Sequence, residues 1–256
     1  MSNNYDAKNI ATMEMIYGEG YLSAGGDEEI ARIVGGSMAG KTVLDVGCGL
    51  GGAVVTMARD LGAAAVHGID IDEGVIARAR ELVARYGLAS RVQLTLTEPG
   101  PLPLGDAGYD LVHLTAVACH FDDLVPLFLE IHRVLAPSGV LVGRDWMKLN
   151  DSDEYHAWDD LLREKGLNFH FAAPDAFSDA FSGAGFVDVV LEDRTRDIAS
   201  LSEQALERIA GDLRAPLLDV LGESGYGDCL EWSRIRAEAL GNGGIGQYQF
   251  RAVKPA

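Results

Sequence analysis

Hydrophobic and polar positions along the chain alternate between two periods, and the switches mark its elements. Residues 43–46 form a short apolar run, as expected of a strand covered on both faces, and residues 53–61 continue as a helix. Residues 64–70 (AAVHGID) read as a second strand ending at Asp70. Residues 73–87 carry the apolar stripe of a helix that Gly87 closes, with Asp72 as its cap. Third and fourth strands follow at 91–97 and 109–116, then a helix with its exit turn at 122–139 and a fifth strand at 140–147. Upstream, residues 25–37 offer a short amphipathic helix with acidic residues in its first turn. Strands separated by helices imply parallel pairing with right-handed crossovers.

The pattern changes after residue 150. Residues 151–185 read as two helices punctuated by Tyr155, Trp158, Phe169, Phe171, Phe177 and Phe181. A sixth strand is expected at 185–195, a mostly helical stretch at 201–240 and a final strand at 244–253. The expected fold class is therefore α/β: a doubly wound, Rossmann-like, seven-stranded and mostly parallel sheet with helical insertions after strands five and six. No internal repeat or low-complexity linker interrupts it, so one domain over 1–256 is expected.

Composition narrows the function classes. The chain has 256 residues, 48% of them hydrophobic, enough for one substantial core. Mean hydropathy is +0.06 and no long uncharged apolar run occurs, so no membrane-spanning helix is expected. The segment MSNNYDAKNIATMEM has neither the basic nor the apolar region of a secretory signal. Cys48, Cys119 and Cys229 are far apart, which suggests neither a metal site nor a disulfide framework and makes the cytoplasm the expected location. The net charge of −18, with no basic run, disfavours nucleic acid and anionic membranes as partners. A small-molecule substrate and a monomer or homodimer are expected.

The chemistry concentrates in VLDVGCGLGG. Gly47, Gly49 and Gly51 give a strand-turn-helix whose glycines admit a ligand close to the backbone at a helix N-terminus. Asp45 stands two residues before the first glycine. Beside that turn it would repel a pyrophosphate and tolerate a cationic sulfonium or ammonium. Asp70, at the end of the second strand, suits hydrogen bonding to ribose hydroxyls. Glu98 follows the third strand, where its carboxylate can accept from an adenine amino group.

This ordered set, with YDLV and RVLAPSGVLV downstream, resembles the class I S-adenosylmethionine-dependent methyltransferases over residues 42–146. The flanks resemble one branch of them, the phosphoethanolamine N-methyltransferases: IYGEGYLSAGG, preceded by Tyr5, looks like that family's N-terminal lid, and EWSRIRAEALG with GQYQFRAVK like its ending. The resemblance implies S-adenosylmethionine as cofactor, a lid over 1–26, a cofactor-binding core over 42–146 and substrate-side helices with the sixth strand over 147–240. It places Tyr17, Leu22 and Ser23 of the lid, Ile71 beside Asp70, and Thr115 and Ala116 at the end of the fourth strand around that cofactor. It also implies a catalytic pair of lid tyrosine and post-strand histidine, here Tyr5 and His120.

The likeness stops at the substrate phosphate. Met13, Trp146, Leu167 and Phe169 stand where that family has phosphate-holding tyrosines, arginine and lysine, with Arg163 in place of another tyrosine. Trp146, Tyr155, Trp158, Phe169 and Phe171 could instead wall a pocket for an apolar or cationic group, with Arg163, Arg144 and Lys148 available to an acidic one. A histidine past the C-terminal end of a parallel strand can deprotonate an ammonium near neutral pH. The reading is thus a small-molecule amine N-methyltransferase. O-methylation of a hydroxyl, carboxylate or phosphonate, or non-catalytic cofactor binding, stays open as an alternative.

Overall fold

The central strand, β1 (Thr42–Val46), pairs in parallel with β2 (Ala65–Asp70) on one side and β4 (Tyr109–Thr115) on the other. With β3 (Val92–Leu96), β5 (Leu135–Lys148), β6 (Val187–Asp193) and β7 (Ile245–Val253), the strands form one seven-stranded sheet ordered β3-β2-β1-β4-β5-β7-β6. The computed structural model describes residues 5–256, so residues 1–4 of the expected lid lie outside the described residues. β7 runs antiparallel between β5 and β6, which makes the sheet mostly rather than wholly parallel.

Helices cover both faces. α2 (Gly26–Val34), α3 (Gly52–Arg59) and α4 (Glu73–Arg85) pack one side through Ile30, Ile33, Val54, Met57 and Ile76 against Val43 and Val142. α5 (Leu124–Val134) and α7 (Pro174–Gly183) pack the other through Phe128, Phe177 and Phe181 against Leu44, Leu114 and Phe250. Asp72 caps α4 by accepting the Val75 amide at 2.9 Å, as its sequence position suggests.

Three further helices, α6 (Asp153–Glu164), α8 (Thr195–Ala210) and α9 (Arg214–Gly241), gather at the C-terminal edge of the sheet around Trp158, Leu162, Ile198 and Leu240. α9 breaks at Gly222, whose φ of 72° and ψ of 175° are not helical. Two elements differ from the sequence reading. An undetected helix, α1 (Ala7–Tyr17), starts at Asp6, whose carboxylate accepts the Asn9 amide, and buries Thr12 and Ile16. β5 begins at Leu135 rather than 140, because the expected exit turn at Ser138 (φ 60°) is absorbed as an irregularity in the β4–β5 ladder.

Candidate active site

The switch between β1 and β4, where the chain leaves the sheet in opposite directions, is where open α/β sheets place ligands. The glycine turn and the end of β4 meet there. Gly47 has a φ of 68°, and a Cβ on it would lie 2.3 Å from the Val117 side chain, so only glycine fits against the β4 exit. Asp70 is tied into this turn: its carboxylate accepts the Gly49 amide at 3.0 Å and the Asp72 amide at 3.1 Å. Burial pushes the Asp70 carboxyl above its ordinary range, and those amide bonds oppose the shift. Beside it, Ile71 is 62% and Leu96 43% exposed. Two exposed apolar side chains flanking a held carboxylate form a surface suited to a flat heterocycle on a sugar. Glu98 is exposed in the loop just beyond.

Asp45 is almost wholly buried, and its Oδ1 lies 2.6 Å from His113 Nδ1. His113 Nε2 lies 3.0 Å from the Thr115 hydroxyl. Asp45 Oδ2 is buried without a partner among the described residues. A neutral imidazole that donates from Nδ1 to the carboxylate must accept at Nε2, so Thr115 donates inward. Its oxygen is left as an acceptor on the outer side.

After β4, Ala116 takes a φ of 54° and donates its amide to the Arg144 carbonyl. A short 3-10 turn, Ala118–His120, follows. Asp145 of β5 organises it. Oδ2 accepts the Val117 and Ala118 amides at 2.9 and 2.7 Å, and Oδ1 accepts those of Cys119 and Trp146 at 3.3 and 2.8 Å. Asp145 is fully buried, which raises its pKa, and the Trp146, Ala118 and Val117 amides and the Cys119 side chain oppose the shift.

His120 at the end of the turn is exposed, yet desolvation lowers its pKa, and the nearby His170 lowers it further. The two facts agree for a group lining a recess, where one face meets solvent and protein displaces water from the rest. The Phe169 ring lies 4.6 Å from the imidazole, and the His170 amide donates to the Cys119 carbonyl at 2.7 Å. Tyr5 is 37% exposed, with its backbone carbonyl near Gly74 at the start of α4. Its pKa is pushed up to about 12, first by burial and then by Asp70, Cys119 and Asp72. The fold thus brings Tyr5, Asp70 and the His120 turn together from three separate segments.

From His120 an aromatic series runs outward: Phe169 stacks on Phe171 at 5.7 Å, Phe171 meets Tyr155 at 6.4 Å, and Lys148 Nζ lies 4.2 Å over the Tyr155 ring. Trp146 and Leu167 pack half-buried in the same cluster, and Trp158 is part of its buried core. The three cations expected near an acidic substrate group are otherwise engaged. Arg163 is 65% exposed and ion-paired with Asp159, because α6 turns its basic residues to solvent. Lys148 pairs with Asp151, and Arg144 is buried against Glu29.

The N-terminal segment lies on the glycine turn. Gly20 accepts the Gly52 amide at 3.0 Å, and Leu22 comes within 3.4 Å of where a Cβ on Gly49 would sit. Ser23 lines a small cavity with Thr115 and Arg144. Tyr17 packs with Ile16, Ile209 and Tyr226 between α1, α8 and α9, with Arg236 over its ring, and lines a groove that reaches Gly52 at the start of α3.

Residues 44–143 match the methyltransferase domain family. The chain is 27% identical over 207 residues to phosphoethanolamine N-methyltransferase 1 of Arabidopsis thaliana, covering 80% of this chain and 41% of that one. It is also 27% identical to phosphoethanolamine N-methyltransferase of Plasmodium falciparum, covering 80% of this chain and 75% of the parasite protein. A solved structure of phosphoethanolamine N-methyltransferase 2 of Haemonchus contortus, in complex with phosphomonomethylethanolamine and S-adenosylhomocysteine, superposes with a TM-score of 0.90 at 22% identity. That superposition covers 99% of this chain and 58% of the other.

The fold is that of a class I methyltransferase.

In this fold the glycine turn, Asp70 and the His120 turn occupy the end of the sheet where open α/β folds take ligands. The chain spans less than half the length of the Arabidopsis relative. Among the described residues no helix is long and apolar enough to cross a membrane. Sequence reasoning passed over Asp145, His113, Glu29 and His170. The first two had a signal, a charged or titratable residue inside an otherwise apolar strand; Glu29 and His170 had none.

Proposed function

We propose that this protein transfers a methyl group from S-adenosylmethionine to the amine of a small molecule lacking phosphate, the whole chain acting as one domain. The residues present fit that cofactor. Asp70 offers carboxylate oxygens to ribose hydroxyls, with Ile71 and Leu96 exposed beside it for the purine and Glu98 close by. The outward acceptor on Thr115, held by the buried Asp45–His113 pair, suits a ligand carrying an ammonium and a sulfonium. Gly47, Gly49, Gly51, Leu22, Ser23 and Ala116 complete its surroundings in this reading.

When bound, the cofactor supplies a methyl group already activated on a cationic sulfur. The chain's own contribution is then alignment, proton removal and exclusion of water. An ammonium has no lone pair, so its proton must leave before attack. His120 accepts it at a ring nitrogen, and its depressed pKa keeps it neutral and ready to do so. Tyr5, held neutral by its raised pKa, orients the amine as a hydrogen-bond donor or acceptor. Phe169 and Phe171 present ring faces to the substrate body, where the sequence has lost its phosphate holders.

The observation that carries this reading is that Asp70, tied into the glycine turn by the Gly49 amide, and the His120 turn, tied down by Asp145, lie at the same end of the sheet. Transfer of labelled methyl from S-adenosylmethionine tests it, with phosphate-free amines, phosphoethanolamine, and carboxylic and phosphonic acids as acceptors. Labelling of a phosphate-free amine is expected. Labelling of phosphoethanolamine alone would overturn the substrate class, labelling of an acid alone would make it an O-methyltransferase, and no labelling at all would overturn the activity.

A further inference from the structure

Arg144 stands inside β5 on the same face as Asp45 and His113, yet it takes no part in their hydrogen-bonded series. Its guanidinium is 2% exposed and donates from Nη1 to Glu29 Oε1 at 2.9 Å, Glu29 being 4% exposed. Nη2 donates to the Ala24 carbonyl at 3.1 Å. Glu29 is on α2, Ala24 is in the N-terminal segment before it, and the Arg144 carbonyl accepts the amide of Ala116 at the β4 exit. One side chain therefore joins the segment over the glycine turn to the floor that carries His120.

The local backbone is built for this pair. Gly25 has a φ of +120°, and a Cβ there would come within 2.5 Å of Glu29 Cβ, so the chain passes over the carboxylate only as glycine. Ser23, Ala24, Glu29, Thr115 and Arg144 also line a common cavity of about 20 Å³, room for roughly one water. Among the described residues, Arg144 is the side chain through which the sheet hydrogen-bonds to residues 22–26.

A buried ion pair is a poor way to gain stability, since apolar residues of similar volume usually do as well or better. It is a good way to fix geometry, because each charge is costly away from its partner while both stay dry. We propose that Arg144, fixed by its pair with Glu29, is a latch that positions residues 22–26 over the cofactor-binding turn. The pair joins two elements packed in the core, so Glu29 fixes the guanidinium, and the bond from Nη2 to the Ala24 carbonyl sets Leu22 and Ser23 in place. Arg144 is thus a positioning residue. The inference rests on the reading of the glycine turn as an S-adenosylmethionine site.

The test measures binding of S-adenosylhomocysteine by calorimetry, and amide hydrogen exchange of residues 18–26, in the full chain. Arg144→Met removes the partner of Glu29 Oε1, leaving Oε2 with Arg32 Nη1 at 2.6 Å, and removes the bond to Ala24. We expect roughly tenfold weaker binding and faster exchange across that segment in the bound state. Because this variant also loses folding stability, the double variant R144M/E29L and the charge-only variant E29Q are measured beside it. The double variant recovers the melting temperature of the native chain but not its affinity, as the bond to Ala24 is still missing. E29Q keeps the shape and loses affinity by a smaller factor. Native affinity and native exchange protection in the folded double variant would overturn the latch and leave the pair a packing feature. Failure of the unmodified chain to bind S-adenosylhomocysteine would instead overturn the cofactor reading.

Discussion

His113 Nδ1 lies 2.6 Å from Asp45 Oδ1, with neither side chain more than 2% exposed, and the pair bridges the two central strands beneath the glycine turn. A carboxylate so deeply placed depends on that imidazole, since its other oxygen has no partner among the described residues. His113→Phe keeps an aromatic ring and removes the donor. It should destabilise the chain by roughly 3 kcal/mol, the cost of a buried charge deprived of its partner, read from urea unfolding. It should also weaken S-adenosylhomocysteine binding, because Thr115 then loses its inward acceptor and its hydroxyl turns. A stability change below about 0.5 kcal/mol would mean that water reaches the carboxylate.

The acid limb of activity should report His120. Its pKa is lowered by desolvation and by His170, so the neutral form persists to a pH below the ordinary histidine value of about 6.5. On acidification, kcat/KM therefore stays level through that pH and falls only below it. His170→Asn removes one lowering influence, so the limb moves up toward the ordinary value. His120→Ala should reduce kcat by about 10²-fold or more and abolish the limb. An unmoved limb in His170→Asn, or undiminished turnover in His120→Ala at saturating substrate, would contradict this assignment.

Asp145 holds the turn rather than the substrate. In Asp145→Asn, one of the two oxygens becomes an amide nitrogen facing backbone N–H groups it cannot satisfy. The turn carrying His120 should loosen. We expect kcat to fall about tenfold with little change in S-adenosylhomocysteine affinity, and stability to fall by about 2 kcal/mol. An equal loss in cofactor affinity would show that Asp145 acts on the glycine turn instead.

How far the sequence carried depended on whether a feature was local. The βα alternation, the Asp72 cap and the glycine turn follow from spacing alone, and each stands where the pattern put it. The position of His120 just past β4 was legible for a related reason, since place after a parallel strand is itself a sequence property. Arg163 was not: on a helix, the same residue faces a pocket or solvent according to packing that lies many residues away, and here α6 turns it outward to Asp159. The Glu29–Arg144 pair spans 115 residues and leaves no local trace. α1 escaped notice because its apolar face is short; only Thr12 and Ile16 are buried, against α8 and α9 that come far later in the chain.

Arg236 gives the last prediction, because its burial is uncompensated. It is 9% exposed, Nε and Nη2 meet no acceptor among the described residues, and its guanidinium sits 5.6 Å from the centre of the Tyr17 ring. A cation over an aromatic face recovers about 2 kcal/mol at best when dry, less than a buried unpaired charge usually costs. Arg236→Met, which keeps the aliphatic stem, should therefore raise the stability of the chain by about 1 kcal/mol, equivalent to a melting temperature roughly 2–4 °C higher. Because α1 then packs on a neutral side chain, exchange protection at Met15 to Tyr17 should increase as well. A lower melting temperature would show that the ring and the surrounding dipoles do offset the charge, and that Arg236 ties the first helix to α9 through its cation rather than in spite of it.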